Sequence, residues 1–472
     1  MTLTDSGLTD CHERRWNALL EWLQGHGMMV DEDHLPVRPK NVAGARLGLF
    51  AIVDIPPRTP ILTLPSKAKI NMATLGHYPY SKRLTATQLI SLHLLLYKPA
   101  PGCESDDPHF APYISILPRD FGDHPLTWAV HRTLGAGSRE EHSLLRLLPP
   151  SVLSDLLLLE RRFWKDWEAV LLYLDDLPDL SSPRRRPRTQ SELILDFVWA
   201  WLNVNTRCLY DDLGLGKDNN MSLCPVFDFA NHAWMQPTME PVRAAGSEIW
   251  RPGRCSPGGD GNTDLVCVSC ERGIVRDQEV TLSYGWHSNR TLFVEYGFAN
   301  AITSEELMSG VYPGQVNVQD IVTTWLDCRG ELGTFVKGTL EAEGYWGDWT
   351  IHCSPLPTQA SFRLITALRL YHSFPEGAGV WSEEETTAAS RRWRDTILGH
   401  EEVVSEENEK ACEESIGEIC EVVIKRAERG IEAVKEDMRM ESEVSEWFQD
   451  VLVAVDFLWF EERAVAKAML IA

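Results

Sequence analysis

Cys224-Pro-Val-Phe227-Asp228-Phe-Ala-Asn231-His232 sets an asparagine and a histidine side by side directly after a short apolar run. The run Ser222–Phe227 reads as a buried strand. Hydrogen-bonding side chains at its end need partners if they are buried. These residues alone leave two readings open: a turn in which Asn231 accepts unusual backbone angles, or a polar knot that holds a ligand. A second stretch, Glu279-Val-Thr-Leu-Ser-Tyr284-Gly285, is a strand that ends on a tyrosine. It reads either as an aromatic-capped turn or as a strand end carrying a catalytic hydroxyl. Ser288-Asn289 and Tyr296-Gly-Phe298 follow closely.

Working outward, the 472 residues suggest two to three domains. Hydrophobic residues make up 44% and charged residues 24%, which excludes a fibrous or wholly disordered chain. The net charge of −24 opposes phosphate backbones, so direct nucleic-acid binding is not expected, whereas a basic protein partner is favoured by steering. Eleven cysteines, scattered without a tight framework, fit free thiols in a reducing compartment. The N-terminal residues lack the basic and apolar regions of a signal peptide. No stretch approaches a membrane span. Cytoplasm or nucleus is the expected location.

Residues 11–27 have the spacing of an amphipathic helix, with Trp16, Leu19, Leu20 and Leu23 on one face and Gly25 and Gly27 at its end. Short strands are predicted over 46–54 and 61–64. A helical texture runs from about 85 to 213, including Gln88–Tyr97, a long helix within Leu144–Leu177, and a helix over 190–210. Phe110–Pro118 reads as an irregular Pro-bounded segment. Ser181–Arg188 reads as an exposed basic loop, with nuclear import as the alternative. Strands return at Ser222–Phe227, Asp264–Ser269 and Glu279–Ser283, the first two joined by a long Gly/Pro-rich loop over 251–262. Helices dominate from about 305. Residues 381–472 hold 24 acids and 11 bases, a net of −13. Ile424, Ala427, Ile431 and Val434 repeat there at helical spacing, so the region reads as an acidic-faced helical one. The class is α+β with a separate α region.

Other signals read as ordinary. Cys267-Val-Ser-Cys270 lacks the second pair that a zinc site needs, and strand alternation puts the two thiols on opposite faces. Gly214-Leu-Gly-Lys217 lacks the spacing of a phosphate loop. His124, His131 and His142 show no ligand spacing, and His77, His93 and His109 read as surface or packing residues. No metal site is expected.

Five segments in this order resemble the SET-domain methyltransferases, in the branch typified by the plant Rubisco large-subunit lysine methyltransferase. They are Arg46-Leu-Gly-Leu-Phe50-Ala with Asp54-Ile; Pro112–Pro118 with His124-Pro-Leu-Thr-Trp128; Trp199-Ala with Thr206-Arg207; Pro225–His232; and Gly273, Glu279-Val, Ser283-Tyr284-Gly, Ser288-Asn289 and Tyr296-Gly-Phe298. The likeness spans roughly residues 15–300.

The resemblance implies a SET β-fold over 36–300, preceded by an N-terminal helical segment (1–35). A large helical insert at about 85–218 splits the fold, and an all-α substrate-binding domain over 305–472 follows it. It implies S-adenosylmethionine as methyl donor, held by Arg46, Leu47, Gly48, Phe50, Arg207, Asp228, Phe229, Ala230, Asn231, His232, Tyr284, Ser288 and Asn289. Gly48 would let backbone approach the cofactor, and Arg207 could fork onto a carboxylate. Tyr284 matches the family's active-site tyrosine, and Phe227 and Tyr296 match aromatic positions that line a lysine channel. The implied activity is lysine N-methylation of a non-histone protein, with ribosomal and translation proteins as the expected class, by a chain acting as a monomer. Histidine methylation on the same fold, and a catalytically silent SET-fold binding module, are the alternatives. Ala45 stands where some relatives carry an acid, and Arg290 where some carry a small residue.

Overall fold

Trp16, Leu19 and Leu23 are buried on one side of the first helix, Asp5–Gly25, with Leu20 half-buried at its margin. Gly27, at φ +95°, turns the chain out of the helix as expected. The computed structural model describes residues 5–28, 35–42, 47–177, 189–243, 262–374, 383–440 and 445–472. Arg46, the basic loop 181–188 and most of the Gly/Pro-rich loop (251–261) lie outside the described residues.

The chain divides into two compact units: Met1–Gly122 with Leu159–Trp286, and Asp123–Leu158 with His287–Ala472. These units do not follow the expected boundaries at 36, 300 and 305. The first helix joins the strands, and residues 123–158 of the expected insert belong with the C-terminal region. Local periodicity reports which face of an element is apolar, not which distant segment covers it.

Among its described residues the first unit holds ten strands: β1 Val37–Asn41, β2 Leu47–Ala51, β3 Pro60–Leu64, β4 Ile70–Asn71, β5 Leu209–Tyr210, β6 Met221–Leu223, β7 Asn231–His232, β8 Met239–Arg243, β9 Leu265–Ser269 and β10 Glu279–Leu282. They form three small sheets, ordered β1-β2-β10-β7, β3-β9-β8 and β4-β6-β5. All pairs are antiparallel except β10 with β7, where Thr281 faces Asn231 and Leu282 faces His232. That parallel pair brings the Asn-His dipeptide beside the strand that leads to Tyr284.

Two of this unit's helices pack against each other. Ala86–Leu96 starts at a reciprocal Thr85/Gln88 cap, and Gln190–Arg207 at a Thr189/Glu192 cap. Leu89, Ile90, Leu92 and Leu94 are all fully buried, which explains a helix apolar on every side. Phe197, Trp199 and Trp201 are buried on the second helix.

Some expectations need correction. Phe110–Pro118 contains a helix, Ala111–Ile116, with Pro112 in its first turn. Proline is harmless there because the first-turn N–H groups have no intrahelical acceptor. The predicted strand Ser222–Phe227 ends at Leu223 and gives way to a 3-10 turn over Phe227–Phe229. β8 lies between the two strands that were expected to be joined by one long loop. In β9, Cys267 is fully buried and Cys270 beyond its end is half-buried, and no metal-ligating cluster occurs among the described residues.

In the second unit the C-terminal region is helical, with a three-stranded antiparallel sheet added: β11 Gln315–Asn317, β12 Thr350–His352 and β13 Gln359–Ala360. The long helix Glu406–Met440 packs along the last helix, Glu446–Met469. Ala427, Ile431 and Val434 are buried, and Ile424 is half-buried. At Gly430 a Cβ would sit 2.2 Å from the Trp459 ring, so glycine permits this close crossing. No helix among the described residues is long and apolar enough to cross a membrane.

Candidate functional site

In the first unit, three chain segments far apart in sequence meet at the β2-β10-β7 edge. Gly48 on β2 is buried, and a Cβ there would lie 2.5 Å from Glu279 Oε1, 2.8 Å from Val42 Cγ2 and 2.9 Å from Asn231 Nδ2. Any larger residue here must push these side chains aside. Asn231 Nδ2 donates to Glu279 Oε1 at 2.7 Å. An ionised carboxylate only accepts, so the amide nitrogen must face Glu279 and Oδ1 is left as the acceptor facing elsewhere.

Tyr284 is tied into the same edge. Its hydroxyl donates to the Ala230 carbonyl at 2.9 Å, and its backbone N–H donates to His232 Nδ1 at 3.1 Å. The latter bond places the proton of neutral His232 on Nε2. The two rings lie 5.2 Å apart. Ala233 N–H donates to Leu282 O at 2.7 Å and closes the ladder.

The approach to Asn231 is strained. Val226 adopts φ +70°, ψ −48°, close to the rare form of the γ-turn. A β-branched residue at positive φ costs free energy, and such residues gather at functional sites. The bend carries the chain into the Phe227–Phe229 turn, where Phe227, Asp228, Phe229 and Ala230 are all buried. Phe229 packs 6.1 Å from the Trp16 ring.

Asp228 is held from two sides. Tyr113 donates its hydroxyl to Oδ2 at 2.9 Å. Arg207, at the end of its helix, donates Nη1 to the Asp228 carbonyl at 2.7 Å and lies 3.4 Å from Oδ2. Burial raises the Asp228 carboxyl above its usual range, with Arg207 and Tyr113 pulling it back. Arg207 Nε and Asp228 Oδ1 are buried without a hydrogen-bond partner among the described residues. Arg207 was expected to fork onto a ligand carboxylate; here one arm is already engaged by Asp228. Leu47 and Phe50 are half-buried on β2, and Leu47 lines a pocket with His12, Glu13, Trp16, Arg38, Pro39, Lys40 and Ile116. That pocket does not include Asn231, His232 or Tyr284.

The second unit carries Ser288, Asn289 and Tyr296. Ser288 caps the helix Asn289–Tyr296 without a side-chain bond, and its buried Oγ has no hydrogen-bond partner among the described residues. Asn289 departs from expectation. Its Oδ1 accepts from Asn300 N at 2.7 Å and its Nδ2 donates to Asn300 O at 3.0 Å. Both polar atoms thus hold the chain instead of reaching for a ligand. Arg290, the unusual long residue, is half-buried and bonded to Asp155 at 2.6 Å. Tyr296 lies 6.5 Å from His287 and 6.3 Å from Phe298, and burial pushes its phenol up to about 12.

The sequence reading missed Tyr113 and Glu279. Glu279 opens a predicted strand, but only the fold shows it meeting Asn231. Tyr113 lies 115 residues from Asp228, with no local signal.

No family model matches the chain. It is 26% identical over 357 residues to the ribosomal lysine N-methyltransferase set11 of Schizosaccharomyces pombe, covering 74% of this chain and 73% of that protein. It is 29% identical over 249 residues to ribosomal lysine N-methyltransferase 2 of Saccharomyces cerevisiae, covering 49% and 46%. Among solved structures, the SET domain of the Rubisco methyltransferase LSMT bound to lysine and AdoHcy superposes with a TM-score of 0.60. The match covers 96% of this chain and 90% of that one at 17% identity. The chain is thus similar to lysine methyltransferases and has the fold of the LSMT SET domain. In this fold the Gly48 cradle, Asn231-His232 and Tyr284 occupy one sheet edge.

The donor set fits a cofactor with both polar and apolar parts. The glycine cradle admits close backbone approach. Asn231 Oδ1 adds an acceptor, and the buried orphan atoms of Arg207 and Asp228 add unsatisfied polar groups.

Proposed function

We propose that this protein is an S-adenosylmethionine-dependent lysine N-methyltransferase whose substrate is a ribosomal protein. The observation that carries this reading is the meeting of Gly48, Asn231 and Tyr284 on one sheet edge. The likeness to two ribosomal lysine methyltransferases supports it. Histidine methylation and a silent binding module have no observation in their favour.

Leu47, Gly48, Asn231 and His232 would hold the cofactor, which supplies a methyl group on a sulfonium centre. The attacking lysine amine must be neutral, although its ordinary pKa is about 10.4. An apolar wall disfavours the charged amine, and Phe227, which is buried, would provide such a wall. The Tyr284 hydroxyl donates to the Ala230 carbonyl, so its oxygen keeps lone pairs for an N–H of the incoming amine. That arrangement orients the nitrogen without requiring tyrosinate.

The substrate's basic character is inferred from charge. A net of −24 raises the encounter rate with a basic protein and opposes bare nucleic acid. The test is incubation of the full chain with methyl-tritiated cofactor and isolated ribosomal subunits, followed by mass spectrometry. One labelled ribosomal protein carrying methyl-lysine is expected. No label despite intact cofactor binding would reject the activity, and methyl-histidine would reject the lysine assignment.

A further inference from the structure

We propose that the cavity between the first helix, β1, β2 and the helix Ala111–Ile116 is a binding site for a small aromatic carboxylate, with Arg38 as its anion anchor. All of its lining residues belong to the first unit, and the proposal does not draw on the cofactor reading.

The cavity measures about 200 Å³. Drug-sized sites run to roughly 300–1,000 Å³, so this one admits a single ring with a short arm and excludes a nucleoside. Its floor is apolar: Trp16 and Ile116 are buried and Leu47 is half-buried. Removing apolar area from water drives a flat ring onto such a floor, and an indole offers it stacked or edge-on contacts. Side chains alternate along a strand, so Leu47 turns away from the face on which Gly48 meets Asn231 and Glu279. The cavity and the Gly48 cradle are therefore separate.

The rim carries the charge. Arg38 and Lys40 stand there against the single carboxylate of Glu13, in a chain whose net charge is −24. Lys40 is engaged by Asp277 at 2.7 Å, which leaves Arg38 as the anchor. Arg38 donates Nη2 to Glu13 Oε1 at 2.7 Å, with the two side chains 46% and 56% exposed. So exposed a pair stabilises little, and it uses one arm of the guanidinium. A ligand carboxylate can take the remaining N–H groups in a fork or displace Glu13 outright. His12 completes the rim. Burial lowers its pKa, and Arg15 and Arg119 lower it further, so the ring is neutral near pH 7. The same two guanidinium groups that oppose a proton on His12 favour an anion beside it. A ring without a charge gains only the floor, and a charge without a ring gains only the rim.

The test is a fluorine NMR titration of the full-length protein with 4-fluorophenylacetate. Saturable one-to-one binding is expected. 4-Fluorophenylacetamide keeps the ring and loses the charge, and it should bind about tenfold more weakly. Acetate keeps the charge and loses the ring, and as a competitor it should need a concentration about tenfold above that of unlabelled phenylacetate. Arg38→Gln should weaken probe binding about tenfold, the equivalent of one charge-assisted hydrogen bond. Glu13→Gln removes the competing carboxylate and should tighten binding about twofold. Both substitutions fall on exposed side chains, so the fold is expected to persist, and circular dichroism checks it. Absence of saturable binding, equal affinity for the amide, or wild-type affinity in Arg38→Gln would overturn the proposal. Unchanged or weaker binding in Glu13→Gln would overturn Arg38 as the anchor.

Discussion

Replacing Gly48 by alanine tests the cradle directly. The added Cβ would stand 2.5 Å from Glu279 Oε1 and 2.9 Å from Asn231 Nδ2, while ordinary contact begins at 3.4 Å. The carboxylate must therefore retreat by 0.9 Å (3.4 minus 2.5) and the amide by 0.5 Å (3.4 minus 2.9). Those two groups share the 2.7 Å bond that orients Asn231. Overpacking costs about 1–3 kcal/mol, and weakening a hydrogen bond to a charged group costs about 1.5–3 kcal/mol. Relaxation of the two side chains trades one cost against the other, so a net destabilisation of about 2 kcal/mol is expected by urea unfolding. The same shift would displace Asn231, one of the proposed cofactor residues. Loss of even one hydrogen bond's worth of binding, about 1.4 kcal/mol, weakens cofactor binding tenfold. Calorimetry with S-adenosylmethionine reads the second effect. Gly25→Ala, where a Cβ meets nothing within 4 Å, is the control. Wild-type cofactor affinity in Gly48→Ala would refute the cradle as a cofactor contact, whatever the change in stability.

Three further outcomes follow from the same geometry. Tyr284→Phe removes the donor to the Ala230 carbonyl; turnover should fall at least tenfold in a methyl-transfer assay, with cofactor Kd within twofold of wild type. Asp228→Ala leaves the buried Tyr113 hydroxyl without its acceptor and removes the carboxylate beside Arg207, whose Nη1 keeps only the backbone carbonyl; unfolding free energy should drop by roughly 3 kcal/mol, and Asp228→Asn, which keeps an acceptor oxygen, should lose less. His93, bonded to Tyr78 at 2.8 Å and 3.2 Å from Asp107, is lowered by burial from 6.5 to about 3. The unfolded chain therefore binds a proton that the folded chain refuses, so stability should fall as pH drops from about 6.5 toward 3, by up to about 1.4 kcal/mol per pH unit. Asp107, raised by burial, opposes this at the acid end of the window. Denaturant unfolding of His93→Gln between pH 6.5 and 4.5 should show a flatter slope than wild type.

The elements carrying the site were legible because their local patterns are strong. Val280 and Leu282 alternate inward along β10, and Trp16, Leu19 and Leu23 repeat at helical spacing. Pro112 misled the reading because a proline in a first helical turn looks the same in sequence as one in a loop. The strands β4, β5 and β7 span two residues each, too few for a period to register.

The order of residues by itself determined the chemical groups on offer: glycine at 48, the adjacent Asn231 and His232, a tyrosine at a strand end, and a strongly acidic C-terminal stretch. Only the tertiary structure decided what those groups do. It set Asn231 against Glu279, turned Asn289 into a clamp on Asn300, and engaged Arg207 with Asp228. Backbone pattern is a local property set by each residue's own conformational and solvation preferences. Hydrogen-bond partnership across 48 or 115 residues is fixed only when strands register and helices pack.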